Sequence, residues 1–439
     1  MSASPSSAAG TAAVQIAAVE PAQRDERLHA NLERPGTGEP VPGFCIPLGG
    51  WALAPDGANV AIEICHGRQV LRRLAREVER PDLVAAFPGV PGAERAGFSV
   101  TLDVLKLPRV FDLRVNAIVG EQETVPIARV RGSRRAFEPQ PTEGPAPLTM
   151  TTLGRSGSTL LMTLLSHHPQ IVAFDPAKDD SRPFAYELEA AIGMASPASR
   201  MRLLDSAVQG EAWWLGRDSM PVEALMRLDE PLRELLLDAS VERLMRSAVE
   251  RAACFASELG TVLEQTDVRY AAEKSGPAHL PRLMRELCAD GREIFLVRDF
   301  RDVVASMFAF NAKRGYDAFG REHVDSDEQF VRWQAGIAAA LAAGWRERGD
   351  GALLVRYEEL VADTPATLTQ ILDFLELDGA PSLVSGVIDR AYTQLDRIQH
   401  RTVQDASASS GRWQTDLPPA LQELANELFA GPLQEFGYT

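Results

Sequence analysis

Hydrophobic and polar positions alternate with a period of two between Val41 and Phe137, in short runs separated by glycine, proline and aspartate turns. The runs are GFCIPLGGWALAP, NVAIEICHG, RQVLRRLAREV, GFSVTLDVLKL and VFDLRVNAIVG. Alternation with this spacing is typical of the strands of an antiparallel sandwich rather than of helices. We therefore predict a small all-β sandwich module over residues 41–137, with no catalytic constellation of its own.

A different pattern begins at residue 148 and predicts a strand, a turn and a helix. Leu148–Leu153 is predicted to be a buried strand, although it alternates hydrophobic residues with threonines as a strand edge would, and it runs into the glycine turn GRSG. Leucines at positions 160, 161, 164 and 165 form one helical face, and Pro169 marks where that helix has ended. Glu293–Asn311 repeats the order of strand, turn and helix, and residues 176–260 are largely helical by period.

These patterns predict two folded domains. Residues 148–439 are expected to form a three-layer α/β/α domain with a central parallel sheet and a P-loop-like phosphate site. Residues 138–147, EPQPTEGPAP, have the composition of a linker, and residues 1–40 that of a disordered tail. A length of 439 residues with 45% hydrophobic residues is sufficient for the buried cores of two domains.

Charge and cysteine usage narrow the classes of partner and compartment. The 61 acidic and 45 basic residues give a net charge of −16, which argues against nucleic acid and anionic membranes as partners. The four cysteines lack CxxC spacing, so neither a disulfide framework nor a zinc site is expected. Without a signal-like leader or eighteen consecutive apolar residues, we expect a cytoplasmic bacterial protein with no membrane span. These features do not indicate the oligomeric state.

The glycine turn after Leu153 is suited to bind a phosphate. Its two glycines permit a tight turn, and the helix that follows leaves its first backbone N–H groups free for an anion. One arginine and three hydroxyl side chains add a positive charge and further donors. The residues expected to bind are Gly154, Arg155, Ser156, Gly157, Ser158 and Thr159.

The spacing of this turn separates it from better-known nucleotide loops. ATP and GTP loops read GxxxxGK[ST], whereas only two residues separate Gly154 from Gly157 and no lysine follows. The GxGxxG fingerprint is also absent, and an ordinary glycine turn is the alternative. The second segment favours a ligand, because Arg298 ends a strand and Ser306, eight residues on, can face the same pocket. The charge run RDFRD is also typical of a salt-bridged surface turn.

These motifs resemble those of a known family. GRSGSTLL followed by HPQI, and LVRDFRDVVAS, resemble the two cofactor motifs of the sulfotransferases, which use 3′-phosphoadenosine 5′-phosphosulfate (PAPS). Three further segments agree in family order, EKSGPAHL, LLVRYEELVADTPATLTQILDFLEL and SSGRWQTDL, so the resemblance covers roughly residues 147–438. It implies that the first motif holds the 5′-phosphosulfate and that Arg298 and Ser306 hold the 3′-phosphate. A metal ion is not expected.

The resemblance also implies catalytic residues. Arg155 matches the basic residue of the first motif, and Lys274 matches a catalytic lysine of the tyrosylprotein branch. Two candidates remain for the general base. Asp175 stands where that branch places its glutamate, and His279 is similar to the histidine of the cytosolic KTHLP motif, with three extra residues after the lysine. A late loop of the family closes over the cofactor, which assigns Ser410, Gly411 and Arg412 to its binding.

The expected function is transfer of a sulfuryl group from PAPS to an acceptor hydroxyl, on a carbohydrate or glycoconjugate. The acceptor would be a small molecule or a glycan, and Trp213 and Trp214 would either stack on a sugar or aromatic ring or pack within the helices. Two alternatives stay open. A P-loop-type nucleotide kinase or hydrolase predicts magnesium-dependent ATP binding, and a non-catalytic glycan-binding protein predicts binding without turnover.

Overall fold

The computed structural model describes residues 12–41, 43–67, 69–120, 123–173, 182–195, 229–265, 267–395 and 409–438. The chain divides into two compact units, Met1–Phe137 with Ala190–Arg246, and Glu138–Glu189 with Ser247–Thr439. Within the described ranges, no helix is long and apolar enough to cross a membrane.

The first unit contains two antiparallel sheets. Its strands are β1 Val14–Pro21, β2 His29–Arg34, β3 Pro40–Val41, β4 Cys45–Leu53, β5 Val60–His66, β6 Gln69–Ala75, β7 Gly97–Asp103, β8 Val110–Val119 and β9 Glu123–Arg134. Six of them are ordered β3-β1-β9-β8-β5-β6, and three are ordered β2-β4-β7. Along β8, Phe111, Leu113 and Val115 are buried while the residues between them are not. The period-two pattern thus forms the predicted all-β module.

The expectation of a disordered tail over residues 1–40 is wrong for its described part. β1 lies between β3 and β9 and pairs with β9 from Val14 opposite Arg134 to Pro21 opposite Ala128. Val14 and Ile16 are fully buried, and Gln15 between them is exposed. The stretch therefore carries a strand's alternation, although its flanking residues are small and polar.

The second unit is built on a five-stranded parallel sheet. Its strands are β10 Ala146–Thr152, β11 Ile171–Ala173, β12 Tyr270–Ser275, β13 Arg292–Val297 and β14 Ala352–Arg356, ordered β11-β12-β10-β13-β14. Ile294 and Leu296 pack into a hydrophobic cluster on one face, and Phe295 and Val297 pack into a second cluster on the other. Helices therefore cover both faces, and the predicted three-layer α/β/α fold is confirmed.

The described residues also form α-helices. They are α1 Pro81–Ala86, α2 Ser158–Ser166, α3 Pro183–Ala195, α4 Glu230–Leu236, α5 Asp238–Val262, α6 His279–Leu287, α7 Phe300–Arg314, α8 Asp327–Arg346, α9 Tyr357–Ala362, α10 Thr364–Phe374, α11 Pro381–Leu395, α12 Trp413–Asp416 and α13 Pro419–Glu435. Of these helices, α1 and α4 lie in the first unit. Helices α3, α4 and α5 account for the helical period predicted within residues 176–260, as far as that range is described.

Strand β10 is central, which confirms the prediction of a buried strand, although its alternation with threonines is also typical of a strand edge. β12 and β13 flank it, and every one of its residues is buried. Its threonines find partners inside the protein, since Thr152 Oγ1 donates to the Leu296 carbonyl at 2.7 Å and Thr151 donates to the Glu293 carboxylate. The threonine hydroxyls are therefore hydrogen-bonded inside the protein, whereas the alternating pattern alone would suggest that they face solvent.

Candidate active site at the carboxyl edge of the parallel sheet

The glycine turn joins the end of β10 to the start of α2 and is held by close packing. Gly157 has φ +88°, and a Cβ there would lie 2.3 Å from Cδ2 of Tyr357. A Cβ on Gly154 would lie 2.9 Å from the ring of Phe319. Arg155, between them, also has a positive φ of 65°. Gly157 is therefore required by its neighbour and by its backbone conformation, and Gly154 by its neighbour.

Among the residues that the structure describes, no side chain caps the N-terminus of α2. Gly157 is its N-cap and has no side chain to cap the first N–H groups. Ser156 is 1% exposed, and among the described residues its Oγ has no hydrogen-bond partner. Ser158 and Thr159 are half-buried on the first turn. This arrangement suits an anion, because N–H groups and the helix dipole both favour negative charge there.

Arg298 follows β13 and is anchored beside the turn. Its Nη1 donates to the Arg155 carbonyl at 3.0 Å, and its Nη2 donates to the Ser409 carbonyl at 2.5 Å. The guanidinium carbon lies 4.8 Å from the centre of the Tyr357 ring. Arg298 is 4% exposed, and its Nε has no hydrogen-bond partner in the described part of the chain. A buried guanidinium with an unused donor fits an anionic ligand.

Arg155 brings a second guanidinium to the same place. Its Nε donates to Ser306 Oγ at 3.3 Å, and its guanidinium carbon lies 4.9 Å from the centre of the Phe310 ring. Burial, and after it the positive charge of Arg298, lowers the pKa of Arg155 to about 10, with a smaller contribution from Arg412 and an opposing one from Tyr357. The predicted group of Arg155, Arg298 and Ser306 is thus assembled, and a bound anion would offset the repulsion between its cations.

Residues 409–413, which we call the C-terminal segment, lie beside this group. The backbone N–H groups of Gly411 and Trp413 donate to the Asp302 carboxylate at 2.7 and 2.9 Å. The Arg412 side chain, 10% exposed, pairs with Asp416 at 2.5 Å. Ser410 is exposed, and its neighbour Ser409 is buried and donates to the Tyr357 hydroxyl at 3.0 Å.

Two of the residues predicted to be catalytic, Lys274 and His279, lie on β12 and α6 and not on the glycine turn. Lys274 is the penultimate residue of β12, half-buried and opposite Met150 of β10. His279 is the first residue of α6, and its Nε2 lies 2.7 Å from Oε1 of Glu189 on α3. Asp175 lies outside the described residues, as do Trp213 and Trp214.

A buried carboxyl adjoins Lys274. Glu273 is 1% exposed and accepts the backbone N–H groups of Phe184 and Ala185, the first turn of α3, at 3.0 and 3.2 Å. Burial raises the pKa of Glu273 to about 8, against the opposing effects of those two N–H groups and of Arg182. The side chain thus ties the end of β12 to the start of α3, and it holds its proton near neutral pH.

Sequence reasoning missed Tyr357, Asp302 and Ser409. Tyr357 directly follows β14, so the signal that identified Arg298, a large polar residue at a strand end, was available for it. Asp302 belongs to the charge run RDFRD, which is also typical of a surface turn, yet it is 1% exposed. Ser409 begins the quoted segment SSGRWQTDL, but the binding role was assigned to the adjacent Ser410, because the sequence does not distinguish two neighbouring serines.

Comparisons with known proteins give one family. A family model described as the sulfotransferase family matches residues 147–381, more than half of the chain. The chain is similar to a sulfotransferase domain from the curacin biosynthetic pathway, with 17% identity over 68% of this chain and 99% of that one, and a TM-score of 0.38. It is also similar to a sulfotransferase from Mycobacterium avium, with 14% identity over 67% and 78% and a TM-score of 0.33. A mouse sulfotransferase complexed with PAP gives 12% identity over 68% and 86%, with a TM-score of 0.35. No curated protein matches the chain.

Proposed function

The chain belongs to the sulfotransferase family, and we propose that it transfers a sulfuryl group from PAPS to an acceptor hydroxyl on a carbohydrate or glycoconjugate. The observation that carries the proposal is the contact of Arg155 with Arg298 and Ser306 beside the uncapped N-terminus of α2. Two guanidiniums at a helix N-terminus favour a ligand with more than one negative group.

The donors in this site fit a nucleotide that carries both a phosphosulfate and a 3′-phosphate. Ser156 Oγ and Arg298 Nε are buried in the described chain without partners of their own. We assign the 5′-phosphosulfate to the glycine turn and the first turn of α2. We assign the 3′-phosphate to Arg298, Ser306 and the segment of Ser410, Gly411 and Arg412.

Sulfuryl transfer requires a donor, stabilisation of the leaving group and a general base. PAPS supplies the sulfuryl group and a bisphosphate leaving group. Arg155 and the N–H groups of α2 stabilise negative charge on the leaving oxygen, a contribution of about 10²–10³-fold for one preorganised donor. Lys274 is proposed as a second cation for the same charge. The acceptor hydroxyl must lose its proton to a general base, which contributes about 10²–10⁴-fold.

The base is either Asp175 or His279. Glu189 supports the histidine, because in the neutral ring a carboxylate that accepts from Nε2–H makes Nδ1 the nitrogen that can take a proton. Asp175→Asn should keep PAP binding and abolish turnover if the aspartate is the base. If that variant stays fully active while His279→Ala is inactive, the histidine is the base.

The proposal needs no metal ion, because a sulfuryl group carries less charge than the phosphoryl group that magnesium neutralises in kinases. The turn also lacks the lysine and hydroxyl pair of the GK[ST] loop.

Calorimetric binding of 3′,5′-adenosine bisphosphate (PAP), compared with ATP and magnesium, tests the donor assignment. We expect tight binding of PAP without metal, and its loss in Arg298→Ala. Preference for ATP with magnesium would point instead to a P-loop-type kinase or hydrolase. PAP binding without turnover on any glycan or small-molecule acceptor would favour a non-catalytic binding protein.

A further inference from the structure

Asp302 makes contacts that its own helix does not need. It lies in the first turn of α7, where the N-cap position is taken by Asp299, whose side chain accepts the N–H of Arg301 at 2.9 Å. Asp302 is 1% exposed, and its two carboxylate oxygens each accept one backbone N–H from the C-terminal segment. A buried carboxylate is costly, and here both of its oxygens are used on residues more than a hundred positions away.

The residues that Asp302 holds follow closely on Ser409, which contacts Arg298. Gly411 and Trp413 are tethered on either side of Arg412, and Ser409, just before them, accepts from Arg298 Nη2 through its carbonyl. Arg301 adds a second tether, because its guanidinium carbon lies 4.3 Å from the centre of the Trp413 ring. The run RDFRD therefore provides Arg298 for the site and two neighbours for the segment that contacts it.

From this geometry we propose that Asp302 is a positioning residue for the 3′-phosphate of the donor nucleotide. It fixes the backbone of residues 409–413 and thereby the place of Ser409 against Arg298 and of Arg412 near Arg155. The inference rests on the proposed function, since the ligand it names is a 3′-phosphorylated nucleotide. A 5′-nucleotide without that phosphate does not need the segment.

The test compares PAP with 5′-AMP, which lacks the 3′-phosphate, by calorimetry on Asp302→Asn. An amide has a single acceptor oxygen, so one of the two N–H groups loses its partner and meets an NH2 group instead. We expect PAP affinity to fall by about 10–100-fold and 5′-AMP affinity by less than about 2-fold. Amide exchange at Gly411 and Trp413 should accelerate. An unchanged ratio of PAP to 5′-AMP affinity in a folded variant would overturn the inference.

Asp363→Asn is the matched control, because Asp363 also accepts a backbone N–H, that of Ala366 at 3.0 Å, but at the start of α10. Asp363→Asn should bind PAP and 5′-AMP with the affinities of the unchanged protein. If Asp302→Asn does not fold, Trp413→Leu removes the ring contact with Arg301 and leaves both backbone N–H groups and the ion pair of Arg301 with Asp299 in place, and PAP affinity alone should fall by about 2–5-fold. A parallel loss for both nucleotides would indicate a merely structural role. Failure of the unchanged protein to bind PAP would refute the proposed function itself, whereas the exchange rates would still report whether Asp302 holds the segment.

Discussion

Arg155 carries a charge that its surroundings make unfavourable. Burial and the nearby charges of Arg298 and Arg412 lower its pKa to about 10. A cation in this situation gains more from an added negative charge than an exposed one would, because the surrounding medium screens less. The residue is therefore suited to stabilise charge that develops during a reaction.

Removing this charge should slow the chemical step. We expect Arg155→Ala to lower kcat by about 10²–10³-fold at saturating PAPS. Arg155→Lys should recover only part of the loss, because a lysine lacks the planar fork of donors and loses its charge more readily when buried. Steady-state kinetics with labelled PAPS, together with PAP affinity, measure the two effects separately.

Arg314→Ala is the control for Arg155, since this exposed guanidinium also lies near Phe310, at 5.3 Å from the ring centre. Its kcat should stay within about twofold of the unchanged enzyme, as for most surface substitutions. Loss of PAP affinity in Arg155→Ala with an unchanged kcat would make Arg155 a binding residue only.

The glycine turn shows how one element depends on its neighbour. The ring of Tyr357, at the start of α9, occupies the space where a side chain on Gly157 would lie. The same ring lies under Arg298, and its hydroxyl accepts from Ser409. The glycine turn, Arg298 and Ser409 therefore all contact the side chain of Tyr357.

Gly157→Ala should disrupt this packing and the left-handed backbone together. The new Cβ would lie 2.3 Å from the Tyr357 ring at φ +88°, so we expect a loss of about 2–4 kcal/mol in the free energy of unfolding. PAP affinity should fall with it. Urea denaturation and calorimetry measure both.

The comparison variant for Gly157 is Gly431→Ala, within α13, where a Cβ would meet nothing within 4 Å. It should be neutral or gain up to about 1 kcal/mol, because alanine favours a helix. An unfolding free energy for Gly157→Ala equal to that of the unchanged protein would contradict the packing argument.

The contact between β12 and α3 should contribute to the free energy of unfolding in a way that depends on pH, because it includes Glu273. Its pKa is raised from 4.5 to about 8, so the folded protein holds a proton that the unfolded chain releases. The resulting stabilisation is complete below about pH 4.5 and is lost as the pH rises through about 8. Relative to Glu273→Gln, the unchanged protein should lose on the order of a few kcal/mol between pH 5 and pH 9.

Urea denaturation of both proteins at several pH values measures this difference. Glu187→Gln is the control, because Glu187 lies on α3, the helix that Glu273 contacts, in a half-exposed pair with Arg251 at 2.8 Å. A flat difference between the unchanged protein and Glu273→Gln would show that Glu273 is ionised throughout.

At the scale of the whole molecule, local patterns and the grouping of the two cofactor motifs could be predicted from sequence, and the other long-range contacts could not. The turn around Gly157 and the helix after Arg298 follow from glycine spacing and hydrophobic period, which are local properties. The contacts of Asp302 with Gly411 depend on the meeting of segments far apart in the chain, as does the central place of β10. The short alternation of Val14 and Ile16 was hidden by small polar neighbours.

The division into units also departs from the order of the chain, and this predicts the result of a truncation. Residues 190–246 group with 1–137, although they follow the glycine turn. In that unit Asp238, 5% exposed at the start of α5, accepts the Gly43 N–H, and Glu242 pairs with Arg135. Burial already raises the pKa of Asp238, so removal of its donor leaves a buried carboxyl without that compensation.

A chain of residues 138–439 should therefore be less stable than the whole protein and prone to aggregate, because α4 and the first part of α5 lose the unit to which they belong. Thermal denaturation and light scattering measure this. Removal of residues 1–11 alone, which ends before β1, should leave both unchanged. A truncated chain 138–439 that is monomeric, with the thermal midpoint and PAP affinity of the whole protein, would show that the β module is a separable attachment. The expected loss instead means that the module is needed for the helices between the first sulfotransferase motif and Lys274 to fold.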